Sequence, residues 1–354
     1  MRICILEGDM SRSGGTERMA AWLANALSAD HEVHILSLRL AGGSVFYPLA
    51  GDVRHQTVPA FPGKLGIFRQ IRWIRRYLGE KEIHRVINVD MGMGFYGILA
   101  AKKQKVITWE HGNFYNNWGS RLFPHFRRFA AKKSDYVVVL TEKDRENYEK
   151  NIKGCSPVRV IPNPAQSRDF AYDSESKTIL SVGHLLRNKG YHRVVELAKR
   201  VLPGRPDWNW VICGEGPERA NLEKAISEAG LEGRVLLPGL TKDMDSQYRK
   251  AAMLVLTSDM EGLPMTLLEG KSWGLPLLAF DIMTGPSDII DDGVNGFLVP
   301  PFDLDRMAAK LSALMDDADL RQTFSANSVT GMEKFSEYRL IEGWNKVFDI
   351  ESSL

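Results

Sequence analysis

The sequence predicts an α/β protein made of two doubly wound domains, each with a parallel sheet. Three observations carry that prediction. Short β-branched runs alternate with helix-like stretches along the chain. The runs fall into two series, parted by Pro162-Asn163-Pro164. The chain has 354 residues, more than one ordinary core accommodates. The first series is RICILE (2–7), EVHILSL (32–38), RVINV (85–89), KVITW (105–109) and DYVVVL (135–140), with helical patterns between them such as ERMAAWLANAL (17–27). The second is TILSVG (178–183), WNWVICG (208–214), RVLLPG (234–239), AMLVLT (252–257) and PLLAF (276–280). Strands that are apolar throughout belong in parallel sheets covered by helices on both faces. The expected domains are residues 1–163 and 164–335, both Rossmann-like. A last helix within 336–354, carrying Trp344, Val347 and Phe348, is expected to pack back on the N-terminal domain.

Composition narrows the class. Hydrophobic residues make up 44% of the chain, enough for sizeable cores. Cys4, Cys155 and Cys213 lie far apart, which suggests neither a disulfide framework nor a zinc cluster and fits a reducing cytosol. No apolar run is long enough to span a bilayer. The run after Arg2 is too short for a signal peptide and reads as the first strand. Residues 1–163 carry 25 Lys and Arg against 15 Asp and Glu, a net +10, whereas residues 164–354 carry 21 against 29, a net −8. The excess in the first half concentrates between Lys64 and Lys133 and should attract an anionic surface.

Ligands of open parallel sheets bind beyond the carboxyl ends of the strands, so the strand-to-helix loops are the informative places. Two such domains facing each other would make a cleft. Gly8–Glu17 follows the first strand, and Gly14 and Gly15 there let backbone approach a ligand at a helix N-terminus. A plain turn with Thr16 as helix cap is the simpler alternative. The spacing is not GxGxxG, which gives a dinucleotide-binding dehydrogenase little support. Gly183-His184-Leu-Leu-Arg187-Asn-Lys189-Gly190 sets cations at a helix start, where they suit a diphosphate and run against the helix dipole otherwise. Cys213-Gly214-Glu-Gly216-Pro217 is explained equally well by a helix with Pro217 at its first position.

EGLPMTLLEG (261–270) holds two carboxylates around a helix start. Pro264 fits the first helical position, and Met265 and Thr266 then offer N–H groups to a phosphate. Glu269 lies three residues after Thr266 and shares its face. Phosphates repel carboxylates, so Glu261 and Glu269 should bind hydroxyls, of a ribose and of a sugar. The plain alternative is a capping Glu261 and a solvated Glu269. Asp243-Met-Asp245 looks like a metal-binding DxD, but acids at a helix start explain it better.

Together these residues resemble family 4 glycosyltransferases, over nearly the whole chain. The E-x7-E element matches at Glu261 and Glu269, followed by Gly274-Leu-Pro276, Gly285-Pro286 and Asp292-Gly-Val-Asn-Gly296-Phe-Leu-Val. Each piece is weakly specific, and the ordered set is strongly so. The resemblance implies the two-domain GT-B fold, of the bacterial polysaccharide or lipopolysaccharide type. It implies a retaining, metal-independent transfer from a nucleotide-sugar, a UDP-sugar rather than a GDP-sugar, with no cofactor.

By match of position, Glu269 holds the ribose and Glu261 sits by the donor sugar. Backbone from Leu263 through Pro264 and Met265 to Thr266 meets phosphate or sugar oxygens. Lys189 contacts the diphosphate, Gly14 and Gly15 close over it, and Gly183 and Gly214 end their strands beside it. Leu240 meets the base. His111, in Trp109-Glu-His111-Gly-Asn113, reaches the transferred sugar, which makes His111, Glu261 and Lys189 the catalytic candidates. One departure stands out. The family has Gly-Arg where this chain has Gly183-His184, and a neutral imidazole does not replace a guanidinium. Either Arg187 supplies the charge or His184 is protonated beside the diphosphate.

LGIFRQIRWIRRYL (65–78) sets Ile67, Phe68, Ile71, Ile74 and Leu78 at helical spacing, with Arg69, Arg72 and Arg76 on another face. RLFPHFRRFAAKK (121–133) interleaves three Phe with five cations, among them Arg127 and Arg128. Both suit peripheral contact with an anionic membrane, at the inner face of the plasma membrane, and a lipid-linked saccharide as acceptor. A covering helix of an α/β domain explains the apolar stripe but not the charge. No nucleic-acid module accompanies the cations. A nucleotide-sugar epimerase of the same fold and a non-catalytic sugar-nucleotide or lipid-binding protein are the alternative readings.

Overall fold

A computed structural model describes residues 1–349 except Lys64, Trp118, Ser167, Phe170 and Lys242. The chain divides into two compact units, Met1–Asn163 with Tyr338–Leu354, and Pro164–Glu337.

The first unit runs β1 (Arg2–Asp9), α1 (Gly15–Ser28), β2 (Glu32–Arg39), β3 (Arg54–Thr57), α2 (Gly66–Glu80), β4 (Arg85–Val89), α3 (Met91–Ala100), β5 (Lys105–Trp109), α4 (Phe123–Lys133), β6 (Tyr136–Val139), α5 (Glu142–Asn151) and β7 (Val158–Val160). Its seven-stranded sheet has the order β3-β2-β1-β4-β5-β6-β7, and every pairing is parallel. Winding reverses between β1 and β4, which opens a crevice at their carboxyl ends. One face packs Cys4, Leu6, Leu36 and Val86 against Ile71, Ile74 and Leu78 of α2.

The second unit runs β8 (Thr178–Val182), a 3₁₀ turn (Arg187–Lys189), α6 (Tyr191–Val201), β9 (Asn209–Cys213), α7 (Arg219–Glu228), β10 (Val235–Gly239), α8 (Met244–Arg249), β11 (Met253–Leu256), α9 (Met265–Ser272), β12 (Leu277–Phe280), α10 (Pro286–Ile289), β13 (Gly296–Val299), α11 (Leu304–Asp316) and α12 (Ala318–Ser328). The six strands are ordered β10-β9-β8-β11-β12-β13, again all parallel, with the reversal between β8 and β11. Trp210, Ile212, Val255 and Leu278 form its core with Val194, Leu197, Leu311 and Phe324.

The chain then returns. The last helix, α13 (Glu337–Val347), buries Leu340, Trp344 and Val347. Its Trp344 meets Trp109 of β5 edge-on at 5.0 Å, and Arg85 donates to the Phe348 carbonyl at 2.9 Å.

The two doubly wound sheets expected from the alternation are present, and all ten apolar runs are strands. Local details differ. Helix α1 starts at Gly15 with Gly14 as its cap, so Thr16 is inside the helix and its hydroxyl donates to Glu17 at 2.9 Å. Pro264 is the cap of α9 rather than its first residue, and Pro217 lies two residues ahead of α7. On α2, Ile67 and Phe68 do not join the buried stripe: they are 47% and 62% exposed, because the core-facing arc begins only at Ile71. Arg69, Arg72 and Arg76 are exposed, as is Arg128 on α4. Arg127 is a correction to the proposed membrane face, since it is buried in the first unit. Lys64, at one end of the basic stretch, lies outside the described residues.

Candidate functional site

The second unit gathers its candidates at the carboxyl edge of the sheet. Gly183 follows β8, Gly214 follows β9, Gly239-Leu240 ends β10, and Ser258–Glu261 follows β11. The reversal between β8 and β11 puts two loops side by side. The Lys189 ammonium, from the loop after β8, meets Glu261 Oε1 at 2.6 Å. Ser258 Oγ donates to the same oxygen at 2.7 Å.

Backbone stitching fixes this pair. Thr257 Oγ1 donates to the Lys189 carbonyl at 3.1 Å, and the Asp259 N–H donates to the Asn188 carbonyl at 2.8 Å. Arg193 at the start of α6 donates to the Thr257 carbonyl at 3.1 Å and pairs with Asp259 at 2.5 Å. Gly190 is left-handed, with φ 71°, and a Cβ there would collide with the Thr257 carbonyl.

Eight residues after Glu261, Glu269 sits on α9 and accepts a hydrogen bond from the hydroxyl of Tyr248, which is buried on α8. Thr284 Oγ1 donates to the Glu261 carbonyl at 2.5 Å, which ties the loop before α10 to the same place. The first N–H groups of α9, at Met265 and Thr266, have no preceding helical turn to accept them, as at any helix start. One cation, two carboxylates and a helix N-terminus thus share one edge. That set can meet a diphosphate with Lys189 and α9, and hydroxyls with the acids.

Other candidates fall differently. His184 is exposed after β8. Arg187 lines a hollow with His192, Glu196 and Lys199 of α6, so Lys189 rather than Arg187 joins Glu261. Leu240 is exposed at the end of β10. Asp243 caps α8, accepting the Ser246 N–H at 3.1 Å, which bears out the helix-start reading of the DxD.

In the first unit, Gly14 and Gly15 stand at the start of α1, directly after β1. Their loop is braced from below. Asp9 accepts the Ser11 N–H at 3.1 Å and the Ser11 hydroxyl at 2.5 Å, and Arg12 pairs with the buried Glu17. Glu7, 3% exposed near the end of β1, leaves Oε2 without a partner among the described residues. Burial, aided by the Glu17 charge, pushes its carboxyl up to about 8.

His111 follows β5. Its ring lies against Trp109, centroids 4.1 Å apart, and its Nε2 is buried without a hydrogen-bond partner among the described residues. Burial lowers its pKa to about 3, so at neutral pH it is an uncharged imidazole. The segment after it is held by Arg127. That guanidinium donates to the Asn117 side chain at 2.9 Å and to the Asn116 carbonyl, and it lies over the rings of Phe114 and Phe123. Glu110 accepts from Tyr148 at 2.8 Å and from the Gly112 N–H at 2.9 Å. Arg127 therefore organises the His111 loop from inside the fold, which is why it does not face a membrane.

Sequence reasoning missed several groups. Tyr248 and Thr284 carry no signal, being single polar residues 21 and 23 residues from their partners, and Ser258, three residues before Glu261, reads as an ordinary loop serine. Asp90 had one: it ends a strand and precedes Gly92-Met-Gly94-Phe-Tyr-Gly97, a GxGxxG spacing. The structure gives those glycines another use. A Cβ on Gly94 would lie 2.7 Å from that of Ala130, and one on Gly97 would collide with Asn88, so Gly94 lets α3 approach α4 and Gly97 lets it lie close on the sheet. The turn itself is Asp90 alone, with φ 78° and ψ 154°.

Comparison with known proteins follows the same division. Residues 163–329 match the family model described as Glycosyl transferases group 1, and residues 13–166 that of Glycosyltransferase Family 4. The chain belongs to the glycosyltransferases. This glycosyltransferase is 27% identical to the amylovoran biosynthesis glycosyltransferase AmsD of Erwinia amylovora, over 98% of this chain and 99% of the relative. It is 27% identical, over 95% of each chain, to an α-1,4-N-acetyl-D-galactosaminyltransferase of Campylobacter jejuni named for a diNAcBac-PP-undecaprenol-linked acceptor. Among solved structures, Anabaena Alr3699/HepE in complex with UDP superimposes with a TM-score of 0.80 over 100% of both chains at 15% identity, a likeness of fold. The fold of this glycosyltransferase is GT-B.

Proposed function

We propose that this glycosyltransferase moves a sugar from a nucleoside-diphosphate sugar, a UDP-sugar, to a lipid-linked saccharide, with retention at the anomeric carbon, in cell-surface polysaccharide or lipopolysaccharide synthesis. The observation that carries the reading is the Lys189–Glu261 pair at 2.6 Å, set at the winding reversal of the second sheet with Glu269 on the adjoining helix.

In this reading Glu269, oriented by Tyr248, accepts the ribose hydroxyls. Lys189 and the first N–H groups of α9 meet the diphosphate. As the sugar–phosphate bond breaks, negative charge grows on the leaving phosphate, and those fixed donors stabilise it without a metal. Glu261 holds Lys189 in place before the donor arrives and accepts a hydroxyl of the donor sugar. His111 is uncharged and offers a neutral hydrogen bond to that sugar. Gly14 and Gly15, at the start of α1, close over the phosphates. UDP is favoured by the UDP bound in HepE, and a lipid-linked acceptor by the name of the Campylobacter relative.

The acceptor reading includes peripheral membrane contact. Leu65, Ile67 and Phe68 at the start of α2, and Leu122 ahead of α4, are exposed beside Arg69, Arg72, Arg76 and Arg128. Among the described residues no helix is long and apolar enough to cross a membrane.

The test is transfer of label from a panel of UDP- and GDP-sugars to undecaprenyl-diphosphate-linked N-acetylhexosamine, with and without EDTA, and NMR of the anomeric proton of the product. Label transfer from a UDP-sugar, unaffected by EDTA and giving the donor's anomeric configuration, is expected. An inverted product removes the retaining mechanism, and release of an isomerised UDP-sugar without acceptor favours an epimerase.

A further inference from the structure

The glycosyl-transfer reading assigns the donor to named residues but leaves the acceptor with none in the first unit beyond a surface. The carboxyl edge of the first sheet has its own winding reversal, between β1 and β4. At that point β4 ends at Val89 and α3 starts at Met91, so one residue makes the whole strand-to-helix turn. Such sharp turns set their side chain out at the top of the sheet.

Asp90 makes this turn in a backbone region that is essentially reserved for glycine, φ 78° with ψ 154°. Capping does not require it. The Asp90 side chain does cap α3, accepting the Gly92 N–H at 3.3 Å, but ordinary cap residues do so from the extended region at negative φ. A glycine would take this conformation without strain. An aspartate here therefore costs stability and yields one thing that glycine does not, a carboxylate at the crevice.

The surroundings select its ligand. Among the described residues the Asp90 carboxylate takes hydrogen bonds only from backbone N–H groups, those of Gly92 and Met91. It is half-buried, with the buried acid Glu110 and the guanidiniums of Arg127 and Arg12 near enough to feel its charge. The carboxylate itself only accepts hydrogen bonds, so neutral hydroxyl donors suit it.

We infer that Asp90 is the residue by which the first unit grips the acceptor, its carboxylate accepting hydrogen bonds from hydroxyls of the acceptor's terminal sugar. The inference rests on the glycosyl-transfer reading and deepens it. No bond is made or broken at Asp90.

The test compares wild type with Asp90→Gly and Asp90→Asn in three measurements. These are transfer to undecaprenyl-diphosphate-linked N-acetylhexosamine, the dissociation constant for UDP, and the thermal midpoint. Asp90→Gly relieves the backbone, and Asp90→Asn keeps the cap and tolerates positive φ while losing the charge. Both variants are expected to lose at least about 100-fold in kcat/KM for the acceptor, to bind UDP within twofold of wild type, and in the case of glycine to melt no lower than wild type. A purely structural aspartate predicts the reverse for glycine, lower stability with transfer kept in proportion to folded protein. Transfer within threefold of wild type in folded Asp90→Asn overturns the inference and leaves the glycosyl-transfer reading standing. Wild-type protein that binds UDP but transfers no sugar overturns both.

Discussion

Lys189 and Glu261 hold each other at the edge of the second sheet, and each is expected to fail in its own way. In the proposed reaction Lys189→Ala takes a fixed cation away from the leaving phosphate, and kcat is expected to fall by about 10²–10³, as when one preorganised donor is lost from an anionic transition state. Single-turnover kinetics with saturating donor would read this directly. A Lys189 variant with unchanged kcat and raised KM would instead give the lysine a role in binding alone. Glu269→Ala is expected to abolish the rise in melting temperature that UDP gives. Ligand at 100 times its dissociation constant adds about 2.7 kcal/mol to a one-site protein, so the loss is easily seen.

Two buried groups in the first unit set opposite slopes of stability with pH. Glu7 has its pKa raised from 4.5 to about 8 by burial, so between those values the folded chain binds more protons than the unfolded one, and stability falls as pH rises. His111 has its pKa lowered from 6.5 to about 3, so the folded chain binds fewer protons across that window, and stability falls as pH drops. Urea midpoints at pH 4, 5, 6.5 and 8 would separate the two. Glu7→Gln is expected to gain on wild type from pH 5 to pH 8, and His111→Asn to gain on it from pH 6.5 to pH 4. Parallel profiles for wild type and both variants would show that neither group titrates in these windows.

Among the elements, Gly190 is an exacting position. It joins the turn bearing Lys189 to α6 at φ 71°, against the Thr257 carbonyl. Gly190→Ala is expected to cost more than about 1 kcal/mol, through strain and through displacement of the β11 loop, and to weaken UDP binding as well. A melting curve and a UDP titration on one preparation check both effects. Strands were legible in the sequence for a simple reason: runs such as YVVV and LLAF are buried on both faces of a parallel sheet, so nothing polar interrupts them. The edge strand β3, RHQT, is largely exposed and carries no such signal, and β7 has three residues.

The site was legible only where chain neighbours make it. Glu261 and Glu269 share one loop and one helix, and their spacing announces them. Lys189 pairs with Glu261 across 72 residues, and Tyr248 reaches Glu269 across 21, and nothing in local pattern records such pairings. Arg127 misled for the same reason: a cation between phenylalanines reads alike on a surface and beneath it. Asp90 stands before a GxGxxG spacing, but its strain is a property of φ and ψ, not of residue order.

At the scale of the molecule, the second half of the chain closes the first unit's core. Trp344 is fully buried against Trp109. Trp344→Ala is expected to cost about 3–5 kcal/mol. Calorimetry should place that loss in the first unit, leaving any UDP-responsive transition of the second unit where it was; a shift of the UDP-responsive transition alone would refute this assignment. The charge asymmetry also acts at this scale. Flotation with anionic vesicles at low salt is expected for wild type and to weaken in Arg69→Glu/Arg72→Glu/Arg76→Glu, whereas equal flotation would dismiss that face as the contact.

The return of α13 also sets a timetable for biosynthesis. Residues 1–163 leave the ribosome first, yet the indole that closes against Trp109 lies beyond all of residues 164–337. At about 5–20 residues per second, the nascent first unit waits roughly ten to thirty-five seconds for its last core residues. During that interval Trp109 faces an unfilled groove, and the second unit, whose strands and helices are contiguous in sequence, is free to fold ahead of it.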